Sequence, residues 1–413
     1  MSDSISPGDG TSQKRIQPGR YLWIVLPLVT GITLAQGFMR QGFPVLYPFI
    51  QDEFGLSRAQ LGLITSFQAI GYTIAVLLAG WLTDTLGVKR MITIGMLCLT
   101  AFILAFPLAY SFHVILVLSA LIGIAASPLY PATTRAIIDW FSVRIRALAM
   151  SIKQMGIPIT GAITAAVLPT LAVVIGWRLA AASMGLLVLI IAISFILLYR
   201  DAPRSIQAVR KINLITFRTI LRNRGLVTII IWGAVFIGIQ FIVVSYFMLF
   251  LIEELGLSTI LAGGMLAVAQ VSSIIARVLW GAASDFIFQG RRIPVLAIIG
   301  FITVLWMLGA SFTSMEVPSI AVYMLTIVMG ISTISFHGVL ATIIGEQAEA
   351  GQVGVTMGLA STLNNVSQVV MPPLFGYLVD ISDSYSLVWR GTAAVALICT
   401  LALLTFGRDP QRR

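Results

Sequence analysis

Two arginines, Arg40 and Arg277, lie inside long apolar stretches of the sequence, and neither has an acidic residue three or four positions away. A charge in an apolar environment is costly unless it is neutralised, so an isolated one is a candidate for function. The guanidinium group presents a planar fork of donors that matches a carboxylate or a phosphate. The two arginines therefore predict a binding site for an anion.

Two further cations lie in apolar stretches. Arg135 is followed four residues later by Asp139, so it fits either anion binding or an ion pair along one helix face. We expect the long side chain of Lys153, near the start of its stretch, to reach out to the membrane interface.

Four amide side chains share a helix face with one of the arginines or with each other, and they complete the predicted substrate site: Gln36, Gln270, Asn364 and Gln368. Each also fits a hydrogen bond between helices. His337 is the candidate for proton coupling, because no other group in the middle of a stretch titrates near neutral pH. Its alternative role is a packing bond to a backbone carbonyl.

The composition requires elements that cross a membrane. Of the 413 residues 58% are hydrophobic and 10% are charged, against about 25% charged in soluble domains. A spanning helix needs about 20 apolar residues, and lipid offers no partners to backbone groups outside helices. Twelve apolar runs follow one another, at 21–48, 60–82, 91–110, 114–138, 147–170, 178–199, 226–251, 259–284, 293–313, 319–344, 354–379 and 387–407.

The basic residues predict the orientation of these runs. With the N-terminus inside, 19 of the 26 Lys and Arg residues fall on the inner side and three fall outside. Cytoplasmic loops carry such an excess, so both termini are expected in the cytosol. The bias also accounts for most of the net charge of +10 without any nucleic acid.

The chain repeats itself, which predicts two six-helix halves. GWLTDTLGVKR (80–90) recurs as GAASDFIFQGRR (281–292), and GWRLAAASMGLL (176–187) recurs as VWRGTAAVALIC (388–399). We expect an N-terminal tail (1–20), a first bundle (21–199), a basic linker (200–224), a second bundle (225–407) and a short tail (408–413). A substrate site is expected between the halves near mid-membrane.

The stretch 80–90 resembles the signature loop of the major facilitator superfamily. The resemblance implies twelve transmembrane helices in two pseudo-repeats and a latch between the halves. Its implied latch residues are Gly80, Asp84, Gly87 and Arg90, with Gly281, Asp285 and Arg291 in the second copy. Thr85 and Val88 depart from the signature, where basic residues are usual. A short turn rich in positive charge is the alternative interpretation.

Two branches of that superfamily share further motifs with the chain. MRQGFPVLYPFIQDEFG (39–55) and YPATTRAIIDWF (130–141) resemble the first and fourth spans of anion:cation symporters, and they match at Arg40 and Arg135. ARVLWG (276–281) resembles the eighth span of oxalate and monocarboxylate transporters. Met39 and Ala126 stand where many symporters have acids implicated in proton coupling, so the resemblance does not carry that mechanism over.

The combined expectation is a secondary active transporter of the inner membrane that moves a small organic anion of the carboxylate class by alternating access. We expect a monomer coupled to protons, with no cofactor, no metal and no enzymatic activity. A drug:proton antiporter is the first alternative, although it would need a buried Asp or Glu. A membrane sensor that has lost transport is the second.

Overall fold

The computed structural model describes residues 18–202, 222–348 and 353–409 of the chain. Most of the predicted linker and parts of both predicted tails lie outside these ranges. Within them the secondary structure consists of helices alone. In an apolar environment a single segment can pair all its backbone N–H and C=O groups only as a helix. This explains why the described secondary structure is helical.

The helices form twelve consecutive spans. In the first half the helices are Pro18–Gly37, Phe38–Gly42, Phe43–Val45 and Tyr47–Phe54 (span 1), Arg58–Leu86 (span 2), Val88–Ala105 and Phe106–Leu108 (span 3), Phe112–Ala126 and Leu129–Trp140 (span 4), Val143–Gln154 and Gly156–Ile175 (span 5) and Trp177–Leu198 (span 6). In the second half they are Arg224–Glu253 (span 7), Thr259–Ala282 and Ala283–Ile287 (span 8), Ile293–Ser311 (span 9), Ser319–Ser332 and His337–Gln347 (span 10), Val353–Ser382 (span 11) and Tyr385–Phe406 (span 12).

Eleven of the described spans are long and apolar enough to cross a membrane. Span 11 is the exception among the twelve predicted. It has the length, with 30 residues, but Asn364, Asn365, Gln368 and two prolines dilute its apolar character. Because it packs along spans 2 and 7, part of its polar surface is sheltered from lipid.

The two ends of the bundle need names. The linker face is the end where span 2 turns into span 3 at Gly87 and from which the 200–224 segment leaves. The opposite face is the end where span 1 turns into span 2 at Gly55. Both glycines have a positive φ, +92° at Gly87 and +60° at Gly55, a backbone conformation that favours glycine.

The internal repeat is visible in matching contacts at the linker face. Asp201, just after span 6, accepts the Lys89 backbone N–H at the start of span 3 at 2.9 Å. Asp409, just after span 12, accepts the backbone N–H groups of Arg292 and Ile293 at the start of span 9, at 2.7 and 3.1 Å. A carboxylate at a helix N-terminus stabilises otherwise unpaired N–H groups. In each half, therefore, an aspartate that follows the last span caps the N-terminus of the third span.

Candidate functional site

Arg40 lies in a local distortion of span 1. Residues Phe38–Gly42 form a short π-helix, and Pro44 follows, which has no N–H to donate to the Arg40 carbonyl. Such widened turns are frequent at functional sites. The Arg40 side chain is half-buried, and its guanidinium carbon lies 5.3 Å from the centroid of the Tyr72 ring. No carboxylate of the described side chains forms an ion pair with it.

Arg277 projects from span 8 toward a break in span 10. The two helices of span 10 are separated at residues 333–336, and Arg277 donates from Nη2 to the Ile334 carbonyl at 3.0 Å. Its buried Nε has no hydrogen-bond partner. Arg277 therefore keeps a free donor and an unneutralised charge in the second half.

His337 connects the two arginines. It is the first residue of the helix that follows the break, and its ring stacks on Phe336 with centroids 4.5 Å apart. The imidazole interacts electrostatically with both Arg277 and Arg40, and its buried Nδ1 has no hydrogen-bond partner. The charges of Arg40 and Arg277, one from each half, both act on this imidazole, and the Nε of Arg277 and the Nδ1 of His337 lack hydrogen-bond partners.

A pair of amides crosses between the halves next to these groups. Gln270 Nε2 donates to Gln41 Oε1 at 3.1 Å, and both side chains are buried. A Cβ at Gly161 would lie 2.8 Å from the Gln270 side chain, so this glycine lets spans 5 and 8 approach. Gln270 Oε1 is buried and unpaired, which leaves an acceptor for a hydroxyl donor. Sequence reasoning missed Gln41, although it adjoins Arg40.

The remaining predicted site residues lie apart from this group or in other contacts. Gln36 is buried and donates to the Ala126 carbonyl of span 4 at 3.4 Å. Arg135 forms the pair with Asp139, its Nε lying 2.8 and 2.9 Å from the two carboxylate oxygens. Asn364 and Gln368 lie on span 11, half-buried and buried respectively.

The expectation for Lys153 is wrong. The side chain does not reach the interface, because its residue is only 1% exposed and its Nζ bonds to Thr133 and Thr134. The reason is the direction of the side chain: Lys153 points at span 4, where Thr133, Thr134 and the Tyr130 ring surround its Nζ.

The halves are joined by a polar cluster at the opposite face. The backbone N–H groups of Arg58 and Ala59, which open span 2, donate to the Asp380 carboxylate of span 11 at 3.0 and 2.8 Å. The Arg58 Nε donates to Glu253 of span 7 at 2.8 Å. Tyr385 donates to the same carboxylate at 2.9 Å, and its ring lies 5.3 Å from the Arg58 guanidinium. We call Arg58, Glu253, Asp380 and Tyr385 the outer cluster.

Further bonds between the halves lie just below the outer cluster. Tyr246 donates to the Arg58 carbonyl at 2.8 Å, Thr65 and Ser245 share a hydrogen bond of 3.3 Å, and Ser66 donates to the Val369 carbonyl at 2.5 Å. Together with the outer cluster and the Gln41–Gln270 pair, they join residues of the first half to residues of the second. All of them lie between the Gln41 level and the opposite face.

The predicted latch residues lie at the linker face. A Cβ at Gly80 or at Gly281 would meet nothing within 4 Å, and Arg90 is exposed. The side chain of Asp84 lies outside the described part of the structure. In the second copy Asp285 pairs with Arg292, which also bonds to Glu346 at 3.2 Å.

Arg291, the residue assigned to the second copy of the latch, is exposed. The residue that pairs with Asp285 is Arg292, one position later than predicted, and the shape of the turn explains this difference. Gln289 and Gly290 both have a positive φ, of 52° and 78°, and this reversal brings Arg292 back over the end of span 8.

The comparison with protein families decides the class. The model of the Major Facilitator Superfamily matches residues 29–339. The chain belongs to this superfamily. The expectations of an all-α major facilitator fold, of a multi-pass membrane transporter and of a protein that is not an enzyme are thereby confirmed.

Individual members of the superfamily are similar along nearly their whole length. The hexuronate transporter of Bacillus subtilis (strain 168) is 23% identical, over 89% of this chain and 90% of the relative. The probable galactarate/D-glucarate transporter GarP of Escherichia coli (strain K12) is also 23% identical, over 92% and 94%. A D-xylose–proton symporter crystal structure superposes with a TM-score of 0.78 at 16% identity, over 95% and 99%. The first two relatives confirm the expected resemblance to transporters of organic anions, and the symporter structure shows the same fold.

Proposed function

We propose that this superfamily member carries a small organic acid across the cytoplasmic membrane and that Arg40 and Arg277 bind its carboxylate. The observation that carries the proposal is the pair of arginines without an acidic partner, one from each half: Arg40 over the Tyr72 ring and Arg277 at the break in span 10, with its Nε unpaired. The names of the relatives, which are transporters of hexuronate and of galactarate or glucarate, support an acid as the substrate.

The geometry supplies a reason for the protein to respond to its substrate. Arg40 and Arg277 repel one another, and a carboxylate between them replaces repulsion with attraction from both sides. A ligand shifts a conformational equilibrium only as far as it contacts the two states differently. Because the acid bridges the two six-helix bundles, it favours the state in which they approach around it.

The bonds between the halves support alternating access, which we expect each monomer to carry out alone. The described bonds close the opposite face, and in alternating access closure of one face goes with opening of the other. We assign this arrangement to the state that is open at the linker face. In the other state the outer cluster separates and the motif around Asp84 and Asp285 closes the linker face.

The drug:proton antiporter is not favoured. A pump for cations needs a buried carboxylate. Among the described residues the buried charged side chain is that of Lys153, which is a cation. The site therefore offers positive charge to its ligand. Uptake of radiolabelled galacturonate into proteoliposomes tests the proposal. Uptake above that of empty liposomes is expected, and its absence together with export of a cationic dye would contradict it.

Proton coupling is proposed to involve His337, and we expect His337→Gln to remove the pH dependence of net uptake. A proton on this ring is a third positive charge in a buried site, so burial and the two arginines oppose it while the site is empty. The bound carboxylate offsets that charge, so acid and proton bind together and uptake rises as pH falls. The measurement is the initial uptake rate between pH 5.5 and 8, about the range in which histidine ordinarily titrates.

His113 provides the matched control for that measurement, because it is exposed at the start of span 4. His113→Gln should keep the parent's pH profile, and His337→Gln should keep substrate exchange. A His337→Gln profile that rises with falling pH as in the parent would place the coupling elsewhere.

The orientation in the membrane is tested by cysteine labelling. With both termini in the cytosol, a cysteine at Ser205 in the linker is expected to resist an impermeant maleimide in intact cells. A cysteine at the exposed Asp383 of the opposite face should react. The background replaces Cys98 and Cys399 with serine. Labelling at position 205 but not at position 383 would show that the protein has the opposite orientation in the membrane.

A further inference from the structure

Lys153 is a buried cation that the proposed carboxylate site does not use. Its Nζ lies 2.9 Å from Thr134 Oγ1, 3.3 Å from Thr133 Oγ1 and 4.4 Å from the centroid of the Tyr130 ring. The three groups are uncharged. The ammonium group has three donors, so its contacts are filled while its charge remains unneutralised.

The nearby acid does not supply the missing charge. Asp139 is engaged by Arg135, whose Nε lies within 2.9 Å of both carboxylate oxygens. Thr133 uses its own proton on the Leu129 carbonyl at 2.7 Å and can only accept from Lys153. A charge buried in a membrane protein costs about 2.5–3.5 kcal/mol even on insertion scales. Its retention therefore points to an anion that arrives from outside the protein.

The surface that covers Lys153 is polar and exposed. Tyr130 is 43% exposed, and the exposed Gln154 amide lies 3.5 Å from the Tyr130 hydroxyl. Gln154 lies six residues inside the candidate span Leu148–Ile175, about 9 Å along it. Lipid there would leave the other donors and acceptors of the amide and the phenol without partners. These two side chains therefore line the space between the halves, and Lys153 lies directly behind the Tyr130 ring.

Tyr130 also links Lys153 to the proposed carboxylate site. Arg40 lies over the Tyr72 ring, and the Tyr72 backbone packs against Gly123 of span 4, seven residues before Tyr130. Lys153 and Arg40 thus mark two cationic points on one wall, with two tyrosines between them. An acid that enters from the linker face passes Lys153 before it reaches Arg40.

We propose that Lys153 and Tyr130 form a second anion-binding point, which holds the distal acidic group of a dicarboxylate whose first carboxylate lies between Arg40 and Arg277. This inference rests on the proposed function. The distal carboxylate displaces the Tyr130 ring from Nζ and pairs with the ammonium group, while Thr134 stays bonded. Lys153 then determines the preference for diacids over monoacids.

Calorimetric titration of the purified full-length protein with galactarate and galactonate tests the proposal, since the two differ by one carboxylate at the end of the same chain. We expect the parent to bind galactarate about tenfold or more tightly, the gain that one charged hydrogen bond gives. Lys153→Met should reduce this ratio to about one, mainly through weaker galactarate binding. Lys153→Arg, which keeps the charge, should preserve part of the preference.

Each outcome separates this inference from the proposed function. A parent that binds both acids equally, or a Lys153→Met protein that keeps the parent's ratio or loses both acids equally, overturns the role of Lys153 alone. A parent that binds neither acid overturns both proposals. Thermal unfolding checks that the variants are folded, and if Lys153→Met does not fold, the ratios in the parent and in Lys153→Arg decide.

Discussion

Arg40→Gln and Arg277→Gln are each expected to weaken binding of an organic acid by about 30-fold or more. Removal of one member of a buried, hydrogen-bonded charge pair costs about 2–5 kcal/mol, and tenfold in affinity corresponds to about 1.4 kcal/mol. Because each half supplies one arginine, either change leaves the carboxylate held from one side only. The measurement is the dissociation constant of galacturonate for the purified variants.

The lysine variants and a distant arginine serve as controls for this experiment. Arg40→Lys and Arg277→Lys keep the charge but lose the planar fork, so they should lose less affinity than the glutamine variants. Arg390 at the opposite face lies against Phe312 and Ser311, and Arg390→Gln should bind as the parent does. Parent affinity in both Gln variants of Arg40 and Arg277 would refute the site.

Asp380→Asn is expected to open the opposite face and to raise the accessibility of the seam between the halves about tenfold. The carboxylate accepts two backbone N–H groups at the start of span 2. An amide offers one acceptor oxygen and no charge, and hydrogen bonds to charged groups contribute about 1.5–3 kcal/mol. The reporter is a cysteine at Ser245, which is 1% exposed and bonded to Thr65 across the seam.

Asp383→Asn is the matched control, since Asp383 is an exposed acid three residues away and asparagine tolerates its positive φ. The maleimide labelling rate at position 245 is compared in detergent, with Cys98 and Cys399 replaced by serine. Equal rates in Asp380→Asn and Asp383→Asn would show that the outer cluster does not hold the seam closed.

Much of the fold was predictable because the membrane permits few solutions. Long apolar runs must be helices, and the repeat of 80–90 at 281–292 predicted two halves. Arg40 and Arg277 could be singled out because each lacks an acidic neighbour on its own helix face. That reasoning uses only separations of three and four residues, which a helix fixes.

The contacts between the halves could not be predicted in this way. Asp380 and the Arg58 backbone are 322 residues apart, and no local pattern relates them. The Gln41–Gln270 bond depends on the π-helical turn that reorients the residues next to Arg40. The burial of Lys153 depends on Thr133, Thr134 and Tyr130 of span 4, about 20 residues away in the chain, and no local pattern relates them.

The most direct test of the central claim is titration of the purified protein with galacturonate and with galactose. The two differ by one carboxylate on the same sugar frame, so the comparison isolates the group that Arg40 and Arg277 are proposed to bind. We expect saturable binding of galacturonate and at least about 30-fold weaker binding of galactose. Equal binding of the two sugars, or tighter binding of a lipophilic cation than of either, would contradict the account.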